Sequence, residues 1–380
     1  MNLLWLVPGE VGGSEEYATR LLRAVAADRP AGIELDLFVL RPFLAAHPDL
    51  AEAFTIHVLP LAGRAKPVRV LAESTWLAAA ARTARLDLVH HLGGVVPPVR
   101  GTPAVVTIHD LQPLDAPQSF SRTKLAYLRA VLPRTTRAAR LVCGVSRFTC
   151  ESVVRLLGIP PERVAVVPHG IDPALARPPE SEVERVRRTY DLPGPWFLTP
   201  AITYPHKGHL TVVRAFRAVH ASHPDARLVL AGGEGPAEAE VMAAVERLGL
   251  RDAVRRTGRV PRSDLDALFA GATALAFPSR YEGFGAPALE AMALGTPVVA
   301  ARATALPEVV GDAGILVAPD APDDWAAALM RLLEDPDLHR RLASAGRDRA
   351  ATYSWDRAAG AQIDAWRRAL AGAPGQGRRR

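Results

Sequence analysis

Two glutamates, Glu282 and Glu290, stand eight positions apart in the stretch FPSRYEGFGAPALEAMALGTPVVA, residues 277–300. An apolar run over 274–277 leads in and another over 297–300 follows, each with the length and composition of a buried strand. Between them the pattern predicts a loop rich in Gly, Pro and Ser, then a short apolar helix over 286–294. Glu282 falls in the loop and Glu290 inside the helix, so the two are not partners one turn apart. Held in this way, they can reach different parts of one elongated ligand with two hydroxyl-bearing ends. Phe284 and Gly285 precede the helix, where backbone N–H groups lack intrahelical partners and become candidate donors at its positive end.

Lys207 lies in AITYPHKGHLTVVRAF. The chain has three lysines, Lys66, Lys124 and Lys207, and the other 43 of its 46 basic residues are Arg. A lysine kept in such a background points to a need for a compact ammonium. Apolar residues at Leu210, Val213 and Phe216 predict a helix beginning at Gly208, which puts Lys207 at its N-terminus. A cation there is unfavourable unless an anion lies between, and a phosphate would meet that need. Nearer the start, Leu3 to Val7 reads as a buried strand, residues 8–14 as a Gly-rich turn, and Ser14 as the N-cap of a helix over 15–27. Paired Gly12 and Gly13 make that turn a candidate anion cradle, although the dinucleotide pattern G-x-G-x-x-G is absent. His109 closes an apolar run over 104–108 in VVTIHDLQP, at a strand end of the kind where parallel sheets collect ligands.

The elements that must position these groups alternate along the whole chain. Strands are expected at 35–40, 55–59, 88–90, 104–108, 141–145 and 164–167, then at 196–200, 228–231, 254–257, 274–277 and from 297. Helices fall between them, including 70–85, 121–139, 147–157 capped by Ser146, 237–248 and 262–270. This alternation argues for doubly wound parallel sheets, and 380 residues exceed what one core usually supports. The proline-bearing run 173–179 is the expected linker between a first domain, 1–172, and a second, 180–354. A last helix over 355–371, capped by Ser354, precedes a tail, 372–380, expected to be disordered.

The motif EGFGAPALE followed by AMALGTPVV resembles that of the family-four retaining glycosyltransferases, the mannosyltransferase and glycogen-synthase-like group. VTIHDL, PHGID at 168–172 and the segment after Val299 extend the likeness over nearly the whole chain. The resemblance implies an α/β GT-B fold, with two Rossmann-like domains facing across a cleft and a C-terminal helix returning to the first. It implies that His109 approaches the transferred sugar, that the loop at Gly12 and Gly13 faces donor phosphate or acceptor, and that Lys207 binds the diphosphate. Glu282 and the amides of Phe284 and Gly285 would hold the sugar, and Glu290 the nucleotide ribose. The family commonly carries an Arg five residues before that Lys; here the position is Ile202, with His206 and His209 flanking Lys207.

The implied reaction moves a sugar from a nucleotide diphosphate, a GDP- or UDP-sugar, to a small-molecule, glycan or lipid-linked hydroxyl with retention of configuration. Lys207, the helix start at Gly208 and the amides near Gly12 and Gly13 would neutralise the phosphate without a divalent ion, so no metal or other cofactor is expected. A nucleotide-sugar epimerase or hydrolase of the same fold, and a catalytically silent donor-binding partner, are the competing readings. The net charge of +6 invites a nucleic-acid partner, but the Arg residues are scattered and aromatics total 6%, without a stacking platform on a basic stripe. A basic surface would also suit peripheral contact with an anionic membrane face. The N-terminus lacks the basic region of a secretory signal, which points to the cytoplasm. Cys143 and Cys150 read as buried free thiols.

Overall fold

Short, almost wholly apolar runs can bury both faces only inside a layered parallel sheet, and the computed structural model places them so. It describes every residue except 11, 64, 99, 100, 118, 119, 173 and 372–380. The tail expected to be disordered, and Pro173 of the expected linker, therefore lie outside the described residues. The chain forms two units, Met1–Gly170 together with the residues from Ser354 onward, and Ile171–Tyr353.

The first unit holds β1 (Asp36–Leu40), β2 (Thr55–Leu59), β3 (Val89–His91), β4 (Ala104–Ile108), β5 (Leu141–Gly144) and β6 (Val164–Val166). Strands β1 and β2 pair in parallel, as do β3, β4, β5 and β6 in that order. Asn2 joins the two groups by parallel bridges to Phe38 and His91. The expected strand over Leu3 to Val7 does not form; the chain turns at Leu4 and Trp5, closed by the Leu6 amide donating to the Leu3 carbonyl at 3.0 Å. Leu3, Leu4 and Leu6 are fully buried all the same, so the apolar run reports burial and not extension. Counting the Asn2 segment as first, the order is 3-2-1-4-5-6-7, the doubly wound pattern with its reversal beside that segment.

Local chemistry sets both ends of one helix in the first unit. Ser146 Oγ accepts from the Thr149 amide at 3.0 Å to start Arg147–Leu157, and Gly158, at φ 64°, ends it. Ser14, in contrast, is not a cap: the helix is Gly13–Asp28 and its N-cap is Gly12, at φ 61°. The expected helix over 70–85 is two, Lys66–Ser74 and Trp76–Thr83, broken at Thr75. The C-terminal helix Trp355–Ala371 packs on Gly13–Asp28 and against β5 and β6. It buries Trp355, Ile363 and Trp366 in the first unit, and the Trp366 indole donates to His90 Nδ1 at 3.0 Å.

The second unit is one six-stranded parallel sheet of β7 (Trp196–Pro200), β8 (Arg227–Ala231), β9 (Val254–Gly258), β10 (Ala274–Phe277), β11 (Val298–Ala301) and β12 (Ile315–Val317). Its order is β9-β8-β7-β10-β11-β12, which is 3-2-1-4-5-6 in unit numbering. Strand order reverses between β7 and β10, and the loops leaving the carboxyl ends of these two strands carry Lys207 and Glu282. No helix among the described residues is long and apolar enough to cross a membrane.

Candidate functional site

The loops after β7 and β10 are fastened to each other before any ligand is considered. After β7 the chain makes a tight turn, Pro205–Lys207, and enters the helix His209–Ser222 through Gly208 at φ 71°. A Cβ on Gly208 would lie 2.2 Å from the Pro278 carbonyl oxygen in the loop after β10, so only glycine allows this approach. The Arg280 amide donates to the His206 carbonyl at 2.7 Å, a second tie between the same loops.

These ties bring Lys207 Nζ to 2.6 Å from Glu282 Oε1, with the two side chains 21% and 12% exposed. The anion that a cation beside a helix start requires is thus supplied by the protein itself. Glu282 is fixed in turn by its own amide, which donates to Thr304 Oγ1 at 3.0 Å. Thr304 stands at φ 52°, a strained setting for a β-branched residue, in the loop that follows β11.

Glu290 lies one loop further on, in the helix Ala286–Ala293, and Arg262 Nη1 approaches its Oε2 at 3.1 Å. Arg262 opens the helix Arg262–Gly271 and also pairs with Asp266 at 2.9 Å. The sequence pattern offered no reason to single it out, because its partner is 28 positions away and on another element. Gly285, at φ 102°, is the N-cap of the Glu290 helix, and Phe284 is buried with its ring edge-on to Tyr353 at 5.8 Å.

The loop GGEGP after β8 lies flat on residues 201–203. The Gly235 amide donates to Thr203 Oγ1 at 2.7 Å, and Thr203 Oγ1 donates to Glu238 Oε2 at 2.6 Å. Arg256 completes the group, reaching Glu238 Oε1 at 2.8 Å and holding the Glu238 carboxyl below the usual carboxylate range.

In the first unit, His109 Nε2 is 3.0 Å from the Leu92 carbonyl oxygen. A carbonyl can only accept, so Nε2 carries the proton and Nδ1 of the neutral ring is left as an acceptor. Tyr17 meets the His109 ring edge-on at 5.2 Å and also contacts His169 and Trp355, at 4.7 and 5.8 Å. Tyr17 and Trp355 were not singled out from sequence; they converge because the last helix returns to the first one. At the turn with Gly12 and Gly13, the Gly9 amide donates to Glu15 Oε2 at 2.8 Å, and Glu15 Oε1 is 3.0 Å from His47 Nε2. An internal carboxylate therefore takes one of the turn's donors, while no atom lies within 4 Å of a Cβ built on Gly12 or Gly13.

Burial holds several histidines neutral. It lowers His91 and His169 to about 3 and His206 and His209 to about 4, and it lowers His90 and His109 as well. In the unfolded chain a histidine titrates near 6.5, so below that pH the unfolded state binds more protons and stability falls as pH falls toward 4. The slope is up to about 1.4 kcal/mol per pH unit for each such ring. Glu73, raised to about 7 by burial, works the other way, its stabilisation being lost as pH rises from 4.5 through 7. Six rings outweigh one carboxyl, so thermal unfolding at pH 5 is expected at a clearly lower temperature than at pH 7. Equal midpoints would contradict the neutral rings.

Comparison with known proteins agrees with this architecture. The Glycosyl transferases group 1 family matches residues 187–349, and Glycosyltransferase Family 4 matches residues 11–175. The chain is 31% identical over 288 residues to the O-antigen chain mannosyltransferase B of Escherichia coli, with 74% of each chain covered. It is 30% identical over 400 residues to a D-inositol 3-phosphate glycosyltransferase of Nocardioides sp., covering 96% of this chain and 86% of that one. Among solved structures it is similar to Anabaena Alr3699/HepE in complex with UDP-glucose, at a TM-score of 0.75 and 22% identity over 94% of this chain and 97% of that one. With two Rossmann-like parallel-sheet units in this order, the chain belongs to the family-four glycosyltransferases of GT-B fold.

Proposed function

We propose that the protein is a retaining, metal-independent glycosyltransferase that moves a hexose from a GDP- or UDP-sugar to a hydroxyl of a small-molecule, glycan or lipid-linked acceptor. The observation that carries this reading is the Lys207–Glu282 pair at the strand-order reversal of the second unit, 2.6 Å apart and largely buried. A parallel sheet binds ligands beyond its carboxyl ends at such a reversal, and the pair offers one charge for a phosphate and one for sugar hydroxyls. Alr3699/HepE, similar in fold, binds UDP-glucose, and the Escherichia coli relative is a mannosyltransferase; both support a hexose on a nucleoside diphosphate.

In the reaction, the anomeric C–O bond to the diphosphate breaks and the acceptor oxygen bonds to the same carbon from the same face. The acceptor's proton passes to the departing phosphate oxygen. Positive charge grows on the sugar and negative charge on the diphosphate. Lys207 meets the second without a divalent ion, and Glu282, released from the ammonium when phosphate takes its place, holds the sugar. Glu290 accepts from the ribose hydroxyls, with Arg262 fixing the carboxylate. Phe284 and Gly285 donate their amides to sugar hydroxyls, the turn at Gly12 and Gly13 faces phosphate or acceptor, and His109 accepts a sugar hydroxyl proton at Nδ1. Neither Glu282 nor His109 is a covalent nucleophile, and two carboxylates flanking the bond as in a glycosidase are not required.

The test is transfer from a panel of nucleotide sugars in EDTA, with the anomeric configuration of the product read by NMR. Retention at a rate unaffected by EDTA is expected. An inverted product, or activity that returns only with Mg²⁺ or Mn²⁺, would overturn the corresponding part of the proposal.

A further inference from the structure

Charge at the donor end of the second unit is largely spent within the protein. Lys207 is held by Glu282, Arg256 by Glu238, Arg262 by Asp266 and Glu290, and Arg280 by Asp320. A nucleotide sugar brings two phosphates, each with a negative charge, and one ammonium shared with a carboxylate is a weak match for them.

Arg259 is the exception. It follows β9, is exposed, and forms no hydrogen bond or ion pair among the described residues. Its position is set by backbone. Gly258, at φ 69°, turns the chain, and the Gly232 amide donates to the Gly258 carbonyl at 2.7 Å, tying the β9 end to the glycine loop after β8. The guanidinium then reaches back over that loop. A Cβ built on Gly233 would lie 3.2 Å from Arg259 Nε, 3.8 Å from Arg259 Nη2 and 3.8 Å from Ile202 Cγ1. Side chains from the ends of β7 and β9 thus converge above a residue that has none, and the cation comes from β9 while β7 contributes only an aliphatic chain. Along the sheet edge the order is Glu282 after β10, Lys207 after β7, the glycine loop after β8, and Arg259 after β9.

We propose that Arg259 is the second cation for the donor diphosphate, placed from β9 over Gly233 because the facing position on β7 is Ile202. The inference rests on the reading of this unit as a nucleotide-sugar site. A planar guanidinium can take two phosphate oxygens at once, so its loss is felt by diphosphates and not by nucleosides. Among the described residues Arg259 has no side-chain partner, so its replacement is expected to leave the fold intact.

Calorimetry with UDP and GDP, and with uridine and guanosine, tests it on the full chain. For the nucleotide that binds, Arg259→Met is expected to weaken the diphosphate about tenfold and leave the nucleoside unchanged. Adding Ile202→Arg to Arg259→Met is expected to restore most of the loss, which a merely structural Arg259 would not allow. Unchanged diphosphate binding in Arg259→Met, or an equal loss for the nucleoside, overturns the inference; if Lys207→Met still weakens the diphosphate, the donor reading survives without it. A wild-type protein that binds neither diphosphate overturns the donor reading, and the role of Arg259 with it.

Discussion

Lys207→Met is expected to lower kcat by about 10²–10³-fold, the range found when one preorganised donor to a developing anion is removed. The ammonium sits at a helix start, where the backbone dipole already favours negative charge, so it acts where the diphosphate gains charge as the anomeric bond breaks. The single variant also leaves the Glu282 carboxylate, 12% exposed, without its partner, and an uncompensated, largely buried charge repels phosphate in the ground state. Lys207→Met combined with Glu282→Gln separates the two effects. The double variant should regain donor binding relative to Lys207→Met and regain no turnover. A kcat within about fivefold of wild type in Lys207→Met would remove this residue from the chemistry.

Gly208→Ala is the substitution expected to cost most in stability, about 2–5 kcal/mol. Two penalties combine there: the left-handed backbone at φ 71°, and a methyl group 2.2 Å from the Pro278 carbonyl oxygen. A backbone oxygen cannot rotate away as a side chain would, so the loops after β7 and β10 must part and the Lys207–Glu282 geometry goes with them. Gly249→Ala is the matched control. Gly249 has nearly the same backbone, φ 68°, with nothing within 4 Å of its Cβ, and should cost about 1 kcal/mol. Denaturant unfolding of both variants measures the difference; equal losses would mean that the close approach carries no energy.

The sequence revealed residues whose role follows from local rules and hid those whose role follows from topology. Strands β10 and β11 were legible because a strand covered on both faces must be apolar throughout. The same rule failed for Leu3 to Val7, where residues just as apolar turn at Leu4 without a Gly or Pro to mark it. Ser14 had the right chemistry for a cap, but Gly12 took the position because its positive φ turns the chain into the helix. Glu282, Glu290 and Lys207 could be named from pattern and resemblance. That Lys207 and Glu282 face each other could not, because 75 positions separate them and only the reversal between β7 and β10 brings their loops together. Arg259, Arg262 and Tyr17 belong to the same class, ordinary in sequence and informative only where strands or helices from distant positions meet.

The placement of the last helix has a consequence for biosynthesis. The second unit, Ile171–Tyr353, begins and ends at adjacent points, with the Ile171 amide donating to the Tyr353 carbonyl at 2.9 Å. It can close as soon as it leaves the ribosome. The first unit is begun earlier yet lacks Trp355, Ile363 and Trp366 until the second unit has been made, so its nascent form waits with Tyr17 and His90 uncovered. Maturation therefore runs against the direction of synthesis, and a prematurely terminated chain exposes the apolar seat of its missing helix to chaperones and proteases.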